Sequence, residues 1–204
     1  HSLLPEGAAI PANRGQLAVF PAMGWWRNRT SHQRFNRLAR YSLLISIDAP
    51  TVERMRAAGA IPFARTNLPD FGLRVHTDSE LHGPTRNPWN PNVTAGGSSG
   101  GEGAAIASGM SPIGLGNDIG GSLRNPAHCC GIVSIKPTVG LVPMATVVPP
   151  EDMTLSSQLM VVEGPMARQV ADVRAALEIL AGQHWRDPRS VTAVLTDSAV
   201  GERL

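Results

Sequence analysis

Residues 96–127, GGSSGGEGAAIASGMSPIGLGNDIGGSLRNPA, decide how the rest of the chain is read. Ser98 and Ser99 lie in one Gly-Gly turn and Ser122 in a second, with "GEGAAIASGM" and "SPIGLGND" between them. The first of these reads as a small-residue helix able to pack very close to a sheet, the second as a strand. Outward from this unit, helix and strand keep alternating. "DAPTVERMRAAGA" (48–60) offers Asp48 as an N-cap and Pro50 in the first turn. Val52, Met55 and Ala58 fall on one face of that helix, and Gly59 stops it. "AIPFART" (60–66) reads as a short buried strand, and residues 67–97 as loop, with prolines at 69, 84, 88 and 91. "GIVSIKPT" (131–138) reads as a further strand. "ARQVADVRAALEIL" (167–180) is an amphipathic helix with Val170, Val173, Leu177 and Leu180 facing inward. The alternation predicts an α/β fold with a mixed, mostly parallel sheet flanked by helices. Three segments follow: an atypical N-terminal arm (1–45), a core (46–190) and a C-terminal tail (191–204).

Composition narrows the function classes. The chain has 204 residues, 42% hydrophobic and 17% charged, which is globular and long enough for one genuine core. The net charge is only +2, so the pI of 8.9 is no nucleic-acid footprint. The Trp25-Trp26 pair among scattered arginines reads as an irregular arm with anchoring tryptophans rather than an RNA-stacking surface. No apolar run is long enough to span a membrane and no signal peptide is visible. The neighbours Cys129 and Cys130 read as small buried hydrophobes in a reducing, cytoplasmic compartment. Lys136 is the only lysine; the other basic residues are all arginine.

Three kinds of chemistry suit a glycine-rich stretch. A phosphate cradle needs Gly-Lys-Ser/Thr or a clean G-x-G-x-x-G, and neither occurs. Gly97-Ser98-Ser99-Gly100-Gly101 formally matches the G-x-S-x-G elbow, but its triad needs an acid and a histidine downstream. His128 and His184, the only histidines after it, stand in no recognisable setting. The third reading uses the whole stretch. "GNDIGGSLR" can gather the backbone N–H groups of Ile119, Gly120, Gly121 and Ser122 around one point, an oxyanion hole with Ser122 as nucleophile at its rim.

Residues 96–138 resemble the signature of the amidase signature family, of the fatty acid amide hydrolase and glutamyl-tRNA amidotransferase A-subunit type. The likeness also takes in "AGAIPFARTN", "TRNPWNP" and "GPMARQVADV". The resemblance implies a Ser–Ser–Lys unit rather than Ser–His–Asp. Ser122 of Gly-Gly-Ser-Leu-Arg would be the nucleophile, and Ser98 the bridging serine, held on a cis peptide. Asp118 and Arg124 would brace the loop, and Ser99 would bond near the bridge. A lysine kept neutral by burial takes the proton from the bridging serine, which takes one from the nucleophile. The relay then returns it to the leaving amine. Small-molecule amides are the implied substrates, with no cofactor and no metal.

The sequence departs from the family in two places. Asn117 stands where Ser or Thr is usual. Counting back by the family interval from Ser98 to the lysine lands in "GQLAVFPAMGWW" (15–26), which has none, and arginine does not substitute, since a guanidinium is not deprotonated in proteins. Lys136 belongs to the structural "SIKPT" element. Family members are also commonly much longer. The expectation is therefore an amide hydrolase impaired as a lone, truncated chain. The alternative is a non-catalytic amidase-like scaffold that self-associates or needs a complementing chain.

Overall fold

The computed structural model describes residues 18–21, 48–80, 82–145, 155–192 and 195. Among them, β1 (Ala18–Pro21), β2 (Ile61–Pro62), β5 (Ile113–Asp118), β6 (Val133–Ser134) and β7 (Val162–Ala167) form one sheet in the order β2-β1-β5-β7-β6. A hairpin of β3 (Asp78–Ser79) and β4 (Gly83–Pro84) stands apart. The helices are α1 (Pro50–Ala57), α2 (Gly100–Ala107), α3 (Arg124–Cys130), α4 (Leu155–Met160) and α5 (Val170–Leu180). No helix among the described residues is long and apolar enough to cross a membrane. Trp25 and Trp26 lie outside the described residues. Ala18–Pro21, inside the segment set apart as an arm, is the strand between β2 and β5.

Strand β5 organises the molecule because its two faces differ. Ile113 and Leu115 enter a core with Met55 of α1 and Val173, Ala176 and Leu180 of α5. A fully buried side chain of this size contributes about 2 kcal/mol. The alternate residues are glycines, and a Cβ there would strike Glu102 of α2 at Gly114, and Ser99 and Leu123 at Gly116. One face is thus filled by apolar side chains. The other is cleared so that the first turn of α2 can sit against the strand.

The sheet is mixed but not mostly parallel. β1 pairs parallel with β2 and with β5, whereas β7 is antiparallel to both β5 and β6. The antiparallel half comes from β7, VEGPMA, whose glycine and proline hide a strand from any propensity argument. Pro165 lies opposite Leu115, where β7 has already run past the end of β6.

Other expectations change in detail. Ala49, not Asp48, precedes α1, and no side chain caps it; Pro50 opens the helix and Asp48 instead pairs with Arg56 at 2.9 Å. The strand expected over 60–66 shrinks to two residues and is not buried, since Ile61 is 48% and Phe63 52% exposed at the sheet edge. The strand in 131–138 likewise shrinks to Val133–Ser134. On α5, Val173 and Leu180 are buried and Leu177 packs against the core, but Val170 is 69% exposed at the first turn. Arg54 of α1 donates to the carbonyls of Leu180, Ala181 and Gln183, supplying the acceptor-rich end of α5 with donors. Of the two free cysteines, Cys130 is buried and Cys129 half-buried.

Glu163 on β7 is buried and accepts a hydrogen bond from the Thr51 hydroxyl of α1. Burial pushes its carboxyl up to about 7 from an ordinary 4.5, with Asp187 adding to the rise and the Thr51 bond opposing it. A raised acid contributes stability that is complete below its unfolded value and is lost as pH climbs through the folded one. The window therefore runs from 4.5 to about 7, and its full span is worth about 3 kcal/mol. Glu163→Gln keeps an acceptor for Thr51 and does not titrate. Urea unfolding from about pH 5 to about pH 8 should show wild type losing that amount relative to the variant. A difference independent of pH would refute the assignment.

Candidate active site

Chain reversal at the end of β5 is built around one carboxylate. Asp118 is fully buried and accepts from the N–H groups of Gly121 at 2.7 Å and Leu123 at 3.1 Å. Arg124 binds the same carboxylate through Nε and Nη2, both at 3.0 Å. Burial alone would raise this acid, but the bonds from Arg124, Gly121 and Leu123 prevail and hold it below 3.8. The turn from 119 to 123 is thereby wrapped on Asp118. Gly121 has φ +120°, a conformation that favours glycine. Ser122 emerges half-buried at the surface of this turn, followed by the fully buried Leu123.

The second serine turn is stitched to the first. The Ser99 N–H donates to the Ser122 carbonyl at 3.3 Å. Gly97 N–H donates to Asn125 Oδ1 at 2.8 Å, and Asn125 N–H donates to the Gly121 carbonyl at 2.6 Å. Thr77, buried in the preceding loop, clasps the turn from outside. Its hydroxyl donates to the Gly96 carbonyl and accepts from the Gly100 N–H, each at 3.0 Å. The Gly97–Ser98 peptide bond is cis. Ser98 is 3% exposed and Ser99 fully buried. The space at Gly97 is filled by the backbone of Arg74, Val75 and His76, so this glycine serves close chain packing.

The proposed nest needs one correction. Gly121 N–H is committed to Asp118 and is not a free donor. The N–H groups of Ile119, Gly120 and Ser122 have no acceptor among the described residues. Gly120 is exposed, with open space where a side chain would be. Asn125 and Thr77 were missed as site residues. Asn125 had a signal in its place three residues after Ser122; Thr77, in a proline-rich loop, had none.

No imidazole joins the serines among the described residues. His128 is exposed on α3, and His184 lies 3.3 Å from Glu53 with Arg186 N–H on its other nitrogen. Lys136, just beyond β6, makes no hydrogen bond to Ser98, Ser99 or Ser122. The arrangement offers a surface hydroxyl beside unused backbone donors, with two buried hydroxyls behind it.

A family model described as Amidase matches residues 38–203. The chain belongs to the amidase family. It is 51% identical over 148 residues to an indoleacetamide hydrolase of Bradyrhizobium diazoefficiens, an alignment covering 72% of this chain and 28% of that protein. Among solved structures, a bacterial aryl acylamidase of the amidase signature enzymes matches with TM-score 0.74 at 30% identity, over 88% of this chain and 36% of that one. A structure described as a vestigial protein complex, bearing on the evolutionary origins of an s-triazine catabolic enzyme, matches with TM-score 0.76 at 30% identity. It covers 95% of this chain and 41% of that one. The chain spans roughly a third of the length of the amidase relatives it matches.

Proposed function

We propose that this chain carries the serine half of an amide hydrolase, with Ser122 as nucleophile and Ser98 as the bridge. The observation that carries the reading is the Ser99 N–H to Ser122 carbonyl bond, which ties the Ser98–Ser99 turn to the Ser122 turn. Ser122 Oγ attacks the amide carbonyl carbon and gives its proton to Ser98 Oγ, which passes its own to a neutral base. The N–H groups of Ile119, Gly120 and Ser122 receive the developing oxyanion, each such donor being worth about 3 kcal/mol in a transition state. As the C–N bond breaks, the relay returns the proton to the leaving nitrogen. Water then hydrolyses the Ser122 ester and regenerates the hydroxyl, so the reaction requires no cofactor.

The likeness to an indoleacetamide hydrolase favours a primary amide, with ammonia as leaving group. The base is the weak link. Lys136 is the chain's single lysine and belongs to a different element, and β1, on which the count-back from Ser98 falls, reads AVFP. That observation favours a second reading, in which the chain works as an amidase-like scaffold or gains its base from a complementing chain. The match to a protein complex supports such a partner. The two free cysteines suit a reducing, cytoplasmic setting.

Incubation with a fluorophosphonate, followed by intact and peptide mass spectrometry, separates the readings. The hydrolase reading expects one adduct, on Ser122, absent from Ser122→Ala and forming about 100-fold more slowly in Ser98→Ala. No adduct on folded protein would leave the scaffold.

A further inference from the structure

Ser99 and Glu102 stand at the N-cap and third position of α2, the spacing of a reciprocal capping box. The structure uses neither in that way. No side-chain bond caps the helix, and both side chains turn onto β5. The Glu102 carboxyl occupies the place a Cβ on Gly114 would take, and Ser99 Oγ lies 2.7 Å from the corresponding point at Gly116. Both residues are completely buried. Glu102 Oε2 accepts from the Thr66 hydroxyl at 2.7 Å, while Glu102 Oε1 and Ser99 Oγ have no partner among the described residues.

Among the described residues, no positive charge pairs with this carboxyl. Of the elements packed on α2, β5 brings Asp118, which Arg124 occupies, and β7 brings Glu163, which Thr51 occupies. Arg168, just beyond β7, is taken up by the Ile106 and Ser111 carbonyls at the far end of α2, and Arg65, beside Thr66, is exposed. α3 brings Arg124, His128, Cys129 and Cys130, none of which bonds to Glu102; Cys130 Sγ donates to the Ala95 carbonyl. An ionised carboxyl at this depth would be a buried, uncompensated charge. To reach water it must lift the first turn of α2 from β5. That turn holds the Ser99 carbonyl on Gly103 N–H at 3.0 Å and the Ser99 N–H on Ser122.

We propose that Glu102 works as a neutral carboxylic acid, a positioning residue that seats the Ser98–Ser99 turn on β5 and releases it on ionising. The inference rests on the hydrolase reading only for its effect on reactivity. Burial, opposed by the single Thr66 bond, drives this acid well above its ordinary 4.5. The sign follows: its contribution is complete below 4.5 and is lost as pH rises through the raised value, so the site loosens on the alkaline side.

The test compares wild type with Glu102→Gln, which keeps shape and an acceptor for Thr66 but cannot ionise. Hydrogen exchange of peptides covering residues 97–103 is followed from about pH 6 to about pH 9, taking the wild-type to variant ratio at each pH to cancel intrinsic rates. Wild-type protection should fall relative to the variant, by up to about tenfold per pH unit once ionisation sets in. A ratio that does not change with pH overturns the proposal. Fluorophosphonate labelling, normalised in the same way, should fall with it. If neither protein labels at any pH, the hydrolase reading fails while the exchange ratio still decides the role of Glu102. Should Glu102→Gln not fold, the carbon-13 carboxyl resonance of Glu102 in wild type gives the answer: a protonated shift at neutral pH supports the proposal, and a midpoint near 4.5 overturns it.

Discussion

Asp118→Ala is expected to cost about 3–5 kcal/mol and to abolish fluorophosphonate labelling of Ser122. The carboxylate is completely buried and accepts from Gly121, Leu123 and both arms of Arg124. Removing it takes the acceptor from three backbone N–H groups of the turn, those of Gly121, Leu123 and, more weakly at 3.4 Å, Arg124. Each buried donor so orphaned costs about 1–3 kcal/mol. It also removes the only anchor that the Arg124 side chain has in the turn. Arg124→Ala offers the contrast. That side chain is 56% exposed, so the pair is partly screened from its side, and its loss should cost about 1 kcal/mol and leave the Gly121 and Leu123 bonds in place. Urea unfolding of both variants, alongside the rate of adduct formation, checks the argument. Equal costs would mean that the ion pair, rather than the backbone bonds, holds the turn.

Gly101→Ala is the second large effect. A Cβ at this position would meet the backbone of Asn67, including its nitrogen at 2.6 Å, and Thr66 Cβ at 3.0 Å. Backbone cannot swing aside as a side-chain tip can, so α2 or the 66–67 segment must move. Overpacking of this kind typically costs about 1–3 kcal/mol, and this position belongs at or above the upper end. The displacement would also disturb Thr66, which serves Glu102, and Asn67, which binds Ser79 and the Gly83 carbonyl. Gly120→Ala is the control. Nothing lies within 4 Å of its Cβ, so stability should change by less than about 0.5 kcal/mol. Thermal unfolding of the two variants should differ by many degrees; similar midpoints would show that α2 is not pinned at Gly101.

The bracing of the Ser122 turn was legible because its logic is local. Ser122, Asp118 and Arg124 lie within one turn, and the glycines between them announce a backbone that must bend sharply and stay uncovered. Helices α2 and α5 and strand β5 were legible for the same reason, being long enough for periodicity to speak. What failed depends on distant partners. β7 becomes a strand because β5 and β6 flank it, not because Gly164 and Pro165 favour extension. Thr77 becomes a clasp only when its loop folds back on Gly96 and Gly100. Gly121 looked like a donor to the nest until the Asp118 carboxylate claimed its N–H. The short β2 follows from its edge position, where one neighbour supplies all the pairing.

The place of β1 bears on how the chain is made. Val19 pairs with Ile113 and Pro21 with Leu115, while the nearer partner, β2, offers only Ile61 and Pro62. A two-residue pairing is too slight to hold a strand by itself. During synthesis the N-terminal end emerges first, so β1 must wait for most of the described fold to be translated before its main neighbour exists. Over that interval its backbone donors and acceptors are open to any passing strand. The place between β2 and β5 that covers both edges of β1 in the finished sheet is thus empty for longest on the ribosome, and β1 depends on shielding until β5 arrives.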